Sequence, residues 1–414
     1  MNRRTPALSF AFLTILLDVL GFGLITPIAP QLVEQLQGGD AATAAPVVGY
    51  LTATYAAMQF VFAPLLGTLS DRFGRRPVLL VSMLGSGLDY FAMALVPTVP
   101  WLFLTRALNG LSGASITTAS AYIADVTPPE KRAAGFGIVG AAFGIGFVLG
   151  PLIGGVLGNI HVRLPFYAAG AVTTVNWFYG LLILPESLPP ERRNPRALRL
   201  NPLRAFAVLG RYPVALRLAG ALFLLNLAQF SLHVTWVLYT QYRYDWSPFD
   251  AGMSLCAVGI GAAVVQGGLA RRIIPRLGER RSLFVGVAIG TCAYAGYGLA
   301  THGWMLYCVI AVASLGGIAM PACQAIITRS VRPDEQGAVQ GGLTSATSFA
   351  NVFGPLIGSK VLHWSIDRPR ADATPGLVFF VCALLAVCGL VVVALTLRSM
   401  RDAPAPVTGP AKPG

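Results

Sequence analysis

Three ionisable residues sit where an apolar chain has least reason to keep them. Asp18, Asp89 and Arg106 each fall inside a long hydrophobic run. A charge at the centre of a bilayer costs roughly 2.5–3.5 kcal/mol on insertion scales, so such groups face a cavity, take up a proton or pair with one another. Burial disfavours the charged form of a carboxyl and a nearby cation favours it. Two carboxylates and one guanidinium are therefore equipment for binding and releasing protons. A second set is neutral: Asn226, Gln229 and His233 recur at a spacing that places them on one helical face. With Gln241, Gln266, Gln324 and Asn351 they are candidates for the polar wall of a substrate cavity. The sequence has no Walker loop, no nucleophile–base constellation and no metal-ligand cluster. The expectation is a protein that binds and titrates but is not an enzyme, with no cofactor and no resident metal.

The elements that must position these residues follow from composition. Of 414 residues, 17 are acidic and 30 basic, so charged residues make up 11%, against about 25% in soluble domains. The hydrophobic share is 55% and the mean hydropathy +0.66. A soluble enzyme could not cover such a surface, a disordered chain would be polar, and an outer-membrane barrel would alternate without long apolar runs. Runs long enough to span a bilayer lie near residues 8–30, 47–69, 78–97, 100–125, 134–158, 164–184, 214–241, 250–272, 281–301, 304–329, 336–361 and 374–398. The first is too long for a cleaved signal core and lacks a cleavage site. The reading is an all-α integral membrane protein of twelve transmembrane helices.

With both termini placed inside, 24 bases fall on the inner side and 5 on the outer, the bias expected of cytoplasmic loops. The net charge of +13 thus records topology and implies no nucleic-acid partner. The six cysteines all lie in apolar stretches of the second half and read as small buried hydrophobes. The Pro- and Arg-rich stretch 185–213 reads as a cytoplasmic connector, with attraction to anionic lipid as an alternative; the Pro-rich tail 403–414 reads as disordered.

A shift of 204 residues exposes an internal repeat: Gly150-Pro151-Leu152-Ile153-Gly154 recurs as Gly354-Pro355-Leu356-Ile357-Gly358. In the same register Gly74 falls on Gly278, Arg76 on Arg280, Pro129 on Pro333 and Gly137 on Gly341. The chain reads as a duplicated six-helix unit, 1–184 and 214–402, with the substrate path between the halves. The intramembrane charges are not repeated. Asp18 falls on Leu222, Asp89 on Ala293, Arg106 on Ile310, and Asp125 on Arg329, so proton coupling is expected in the first half.

Two motifs carry a resemblance. The loop from Gly67 through Asp71, Gly74, Arg75 and Arg76 to Pro77 places a small residue for close helix approach and an acid beside several arginines. With Asp125 it is expected to latch helices on the cytoplasmic side. It resembles the loop signature of the major facilitator superfamily. The glycines Gly146, Gly150, Gly154 and Gly155 with Pro151 are similar to that superfamily's antiporter motif; small residues at this spacing allow close helix contact. The first span around Leu17-Asp18, then Leu88-Asp89-Tyr90, Arg106 to Ala114, and Arg243 to Pro248, are similar to the tetracycline-efflux branch. The resemblance implies a monomeric drug/proton antiporter of the bacterial inner membrane, driven by the proton gradient. It also implies a cationic metal–tetracycline chelate as cargo, in which case the divalent metal arrives with the substrate. Where that branch's pumps carry a histidine and an aspartate, Ala262 and Gly290 stand here. Rival readings on the same fold are a metabolite exporter, a sugar-type uniporter or symporter, and a non-transporting receptor.

Overall fold

Apolar runs in lipid must satisfy their backbone hydrogen bonds internally, which a helix does along its whole length. The computed structural model describes residues 5–113, 115–127, 132–193, 208–367 and 374–402, and among them there are helices and no strand. The tail 403–414 and the central part of the connector lie outside the described residues.

The first half holds α1 (Thr5–Ile25), α2 (Ala29–Gln37), α3 (Ala41–Phe73), α4 (Arg75–Leu95), α5 (Val99–Ser112), α6 (Ser115–Val126), α7 (Arg132–Ile160) and α8 (Leu164–Ile183). The second holds α9 (Pro213–Tyr244), α10 (Pro248–Val264), α11 (Ala270–Leu277), α12 (Glu279–Leu299), α13 (Gly303–Leu315), α14 (Ala319–Ser330), α15 (Gln336–Ile366) and α16 (Leu377–Asp402). Taken with their short breaks these are twelve passes, four of which are not the single rods expected. The first pass bends by 41° between α1 and α2, where Pro27 removes a backbone donor. The fourth is interrupted after α5. The eighth carries a π-helical turn at Val265–Leu269 between α10 and α11, and the tenth a 3₁₀ turn at Gly316–Ile318.

Among the described residues nine helices are long and apolar enough to cross a membrane, ten with the bent pair. The two passes that fall short are the interrupted α5/α6 and α15. The latter is rich in Gly, Ser, Thr and Gln because it packs along both α9 and α3 and meets protein where its neighbours meet lipid.

Packing repeats the sequence repeat. In the first half α1 lies along α7, α4 along α8 and α3 along α5; in the second, α9 lies along α15, α12 along α16 and α10 along α13. The halves meet through α7 with α10 and α3 with α15. Each pair is the image of another at the 204-residue shift, so the two bundles are pseudo-symmetric. Cys256, Cys323 and Cys382 are buried as expected, but Cys292, Cys308 and Cys388 are exposed. They lie on the outward faces of their helices, where lipid is as good a solvent for a thiol as a protein core.

Candidate functional site

The three intramembrane charges resolve into a cluster. Asp89 on α4 is buried, and its Oδ2 accepts hydrogen bonds from both Arg106 and Asn109 of α5. Oδ1 has no hydrogen-bond partner among the described residues. Arg106 also touches Met93 and lies 5.9 Å from the Tyr55 ring centroid, a cation–π distance. Asp18 on α1 is within electrostatic reach of Tyr55 and Tyr90. Four helices thus supply one acid–guanidinium site, and Asn109 and Tyr55 are its members that the sequence reading did not single out. Chemically, Asp89 Oδ1 is an open protonation position on a carboxylate whose other oxygen is held by a fixed cation.

The second half holds a cavity of ≈ 410 Å³, within the range of small-molecule sites. Asn226, Gln229, His233 and Gln266 line it, with the rings of Trp236, Tyr294 and Tyr297. Tyr294 donates to Gln229 Oε1 at 3.0 Å, and Gln229 Nε2 lies 2.8 Å from His233 Nε2. A carboxamide nitrogen only donates, so this relay holds His233 as a neutral acceptor. Ala262 and Gly290 line the same cavity, and no Asp, Glu, Lys or Arg does among the described residues. Leu222, Ala293 and Ile310, the images of Asp18, Asp89 and Arg106, are also in its wall. By the pseudo-symmetry the charged triad occupies the matching wall of the first half.

Three expected cavity groups are elsewhere. Gln324 accepts from Gln340 Nε2 at 2.9 Å, joining α14 to α15. Asn351 on α15 is not in the lining. Gln241 reaches across to Glu34 of α2 at 3.0 Å. Helical periodicity assigns a face but not which neighbour covers it, and Gln324 and Gln241 are taken up by side chains of neighbouring helices.

The loop motif assembles as a network, though not between the halves. Arg75 binds Asp71 at 2.6 Å, Asp125 at 3.1 Å and Ser70 Oγ at 2.6 Å. Arg76 donates to Leu181 O at 2.8 Å. Gly74 takes φ +109, which favours glycine, and turns the chain so that the first amides of α4 point at Glu186. That carboxylate, absent from the sequence reading, accepts from Arg75 N at 2.8 Å and Arg76 N at 3.3 Å, capping orphan donors of a helix start from a distant segment. Every partner belongs to the first half or to the start of the connector, so the expected latch staples α3, α4, α6 and the end of α8 within one bundle. Its image exists with the charges exchanged: Glu279 pairs with Arg329 at 2.9 Å, at the positions of Arg75 and Asp125. Glu186→Gln is expected to cost about 1–2 kcal/mol, read as a fall of a few degrees in the unfolding midpoint of detergent-purified protein.

The glycine motif explains the seam. A Cβ on Gly150 would lie 2.7 Å from Gly23 Cα, one on Gly154 2.8 Å from Leu24 Cα, and one on Gly146 2.9 Å from Val19 Cβ, so α7 sits directly on α1. A Cβ on Gly155 would lie 2.7 Å from Pro248 O, on the opposite half. Contacts across the seam cluster at the Arg-poor end: Gln241 with Glu34, and His363 Nδ1, which donates to Ala42 O at 2.8 Å. Phe60 and Phe349 meet at 4.9 Å near mid-depth. Towards the Arg-rich end, Cβ atoms on Gly67, Gly267, Gly268 and Gly337 would meet nothing within 4 Å among the described residues. The close approach expected at Gly67 is therefore not made among the described residues.

Comparison with known proteins gives the following. A family model described as Major Facilitator Superfamily matches residues 11–316 and 276–413. The class C tetracycline resistance protein of Escherichia coli is 39% identical over 377 residues, 91% of this chain and 93% of that protein. The class G protein of Vibrio anguillarum is 37% identical, covering 91% and 94%. Among solved structures, a bacterial homologue of the human lysosomal transporter Spinster, inward-facing and unoccupied, superposes with a TM-score of 0.79 at 18% identity, covering 98% of this chain and all of that one.

Proposed function

The chain belongs to the Major Facilitator Superfamily, and from that premise we propose a secondary active transporter that exports a small drug-like molecule in exchange for protons by alternating access. It is not an enzyme, and the proton gradient is its energy source. The observation that carries the reading is a cavity of neutral polar groups and aromatic rings in the second bundle, together with a buried Asp89–Arg106 pair in the first. The seam contacts cluster away from the arginine-rich end, which by the positive-inside rule is cytoplasmic. The state described is then inward-open, with both termini cytoplasmic and the protein in a bacterial inner membrane as a monomer surrounded by lipid. The moving bodies are 1–184 and 214–402, joined by 185–213.

A proton arriving at Asp89 Oδ1 neutralises the carboxylate and loosens its hold on Arg106; loss of the proton restores the pair. Asp18, beside Tyr55 and Tyr90, is the second titrating group. Substrate lies against Trp236, Tyr294 and Tyr297 and hydrogen-bonds with Asn226, Gln229, His233 and Gln266. Asp71, Arg75, Arg76 and Asp125 keep the first bundle rigid as it swings, and Gly67 is the close-contact point when the cytoplasmic end shuts. The named relatives support an antibiotic of the tetracycline type as cargo. A lining without carboxylates, with Ala262 and Gly290 in it, supports an aromatic drug held by neutral groups, and any divalent metal would be carried by the substrate.

The test is flux in proteoliposomes under an imposed pH gradient, with tetracycline with and without Mg²⁺ and a panel of uncharged and cationic drugs. Export that rises with the gradient and is lost in Asp18→Asn is the expected result. Flux indifferent to both the gradient and that substitution would sink the antiport reading.

A further inference from the structure

At the Arg-poor end of the seam one carboxyl meets one carboxamide. Glu34 Oε2 on α2 accepts from Gln241 Nε2 on α9 at 3.0 Å, joining the two halves. The other oxygen of each side chain, Glu34 Oε1 and Gln241 Oε1, is buried without a hydrogen-bond partner among the described residues. Leaving a buried acceptor unsatisfied costs about 1–3 kcal/mol, and here there are two on adjoining groups. An ionised carboxylate has no hydrogen to offer. One proton on Glu34 Oε1 turns that oxygen into a donor, able to pair with Gln241 Oε1 on the carboxamide that Glu34 Oε2 already binds.

Burial favours that proton first, and a neighbouring charge adds to it. Asp40, which begins α3, acts on Glu34. The Thr43 backbone N–H holds the Asp40 carboxyl below its ordinary value, so Asp40 stays ionised. Cations that would offset it are engaged or averted. On α5 the one base, Arg106, is bound to Asp89. On α9 Arg243 is exposed and two residues from Gln241, and positions two apart on a helix do not face each other. On α15 His363 is tied to Ala42 O and Asp367, and Lys360 lies over the Tyr50 ring. Asp250, at the start of α10, is occupied by Ser247.

We propose that Glu34 is a proton-binding site of the inter-half seam: protonated, it holds the Arg-poor face shut through Gln241, and loss of the proton releases that face to open. The proposal rests on the alternating-access reading and adds to it a proton bound at a gate, away from the substrate. Acid outside then returns the carrier to the inward-open state, in which it loads.

The test is the distance between spin labels at Gln37→Cys and Thr301→Cys, exposed positions on opposite halves at this end. The full chain is used in lipid nanodiscs, with the exposed Cys292, Cys308 and Cys388 replaced. Between pH 5 and pH 8 the short-distance population is expected to give way to a longer one. Glu34→Gln, whose carboxamide mimics the acid, keeps the short population throughout. Gln241→Leu loses it even at pH 5. A Glu34→Gln protein that follows the wild-type pH profile, or a wild-type profile that does not move with pH, overturns the assignment. Gradient-driven flux on the same preparations separates the two claims. If flux persists while Glu34→Gln tracks wild type, the gate falls and antiport stands. If flux ignores the gradient while Glu34→Gln locks the distance, antiport falls and the gate stands.

Discussion

Arg106→Ala is expected to lower gradient-driven export more than about 100-fold while the protein still inserts and purifies as a single species. The reason lies in what is left behind. Asp89 is 5% exposed, and Oδ2 loses one of its two donors when the guanidinium goes. Removing one partner of a buried ion pair costs about 3–5 kcal/mol, and about 1.4 kcal/mol is a factor of ten. The site escapes that cost by keeping Asp89 protonated, which removes the step that couples proton to substrate. Arg106→Lys is expected to fail as well. The planar guanidinium lies near the Tyr55 ring while its Nη2 reaches both Asp89 and Met93, and the compact tetrahedral ammonium of a lysine does not reproduce that arrangement. Asp89→Asn with Arg106→Gln should recover thermal stability lost in Arg106→Ala but not the response to a pH gradient. Full export from Arg106→Ala at every imposed gradient would remove the pair from the mechanism.

Gly154→Leu carries the second large effect, on assembly. A Cβ there would stand 2.8 Å from the backbone carbon and Cα of Leu24, and backbone cannot turn aside as a side chain can. Overpacking a tight site costs about 1–3 kcal/mol, and here the obstacle is a helix axis, so α1 must move off α7. The motif also touches α10 through Gly155, so the displacement reaches the seam. Loss of the monodisperse peak in size-exclusion chromatography is the expected readout. Gly137→Ala is the control, because Gly137 is exposed and a Cβ there meets nothing within 4 Å among the described residues. If Gly154→Leu elutes and transports like Gly137→Ala, α1 and α7 do not depend on that contact.

The passes, the duplication and the concentration of charge in the first half were legible because each leaves a one-dimensional trace: an apolar run, a repeated pentapeptide, an acid where none should be. What was not legible depends on partners distant in sequence. Glu34 lies beyond the first apolar run, and only the continuation of the first pass as α2 after the bend at Pro27 carries it to Gln241. Glu186 reads as one acid near a connector, and only the turn at Gly74 makes it a cap for α4. Gln324 carries the same polar signal as Gln229, yet it is taken up by Gln340 of a neighbouring helix while Gln229 lines the cavity. At the 204-residue shift Asp125 falls on Arg329, an exchange of sign that the sequence leaves without its partner. The structure has an ion pair at both places, because a salt bridge survives when both its signs are exchanged together.

That exchange bears on how the chain sorts itself during synthesis. A protein built from two copies of one bundle risks pairing a helix from the first copy with its counterpart in the second. If α6 and α14 traded places, Arg75 would face Arg329 and Glu279 would face Asp125, two like-charge contacts in place of two attractive ones. Like charges brought together disfavour a wrong pairing more selectively than a good contact favours the right one. Opposite polarity at equivalent positions therefore labels each helix with the half to which it belongs.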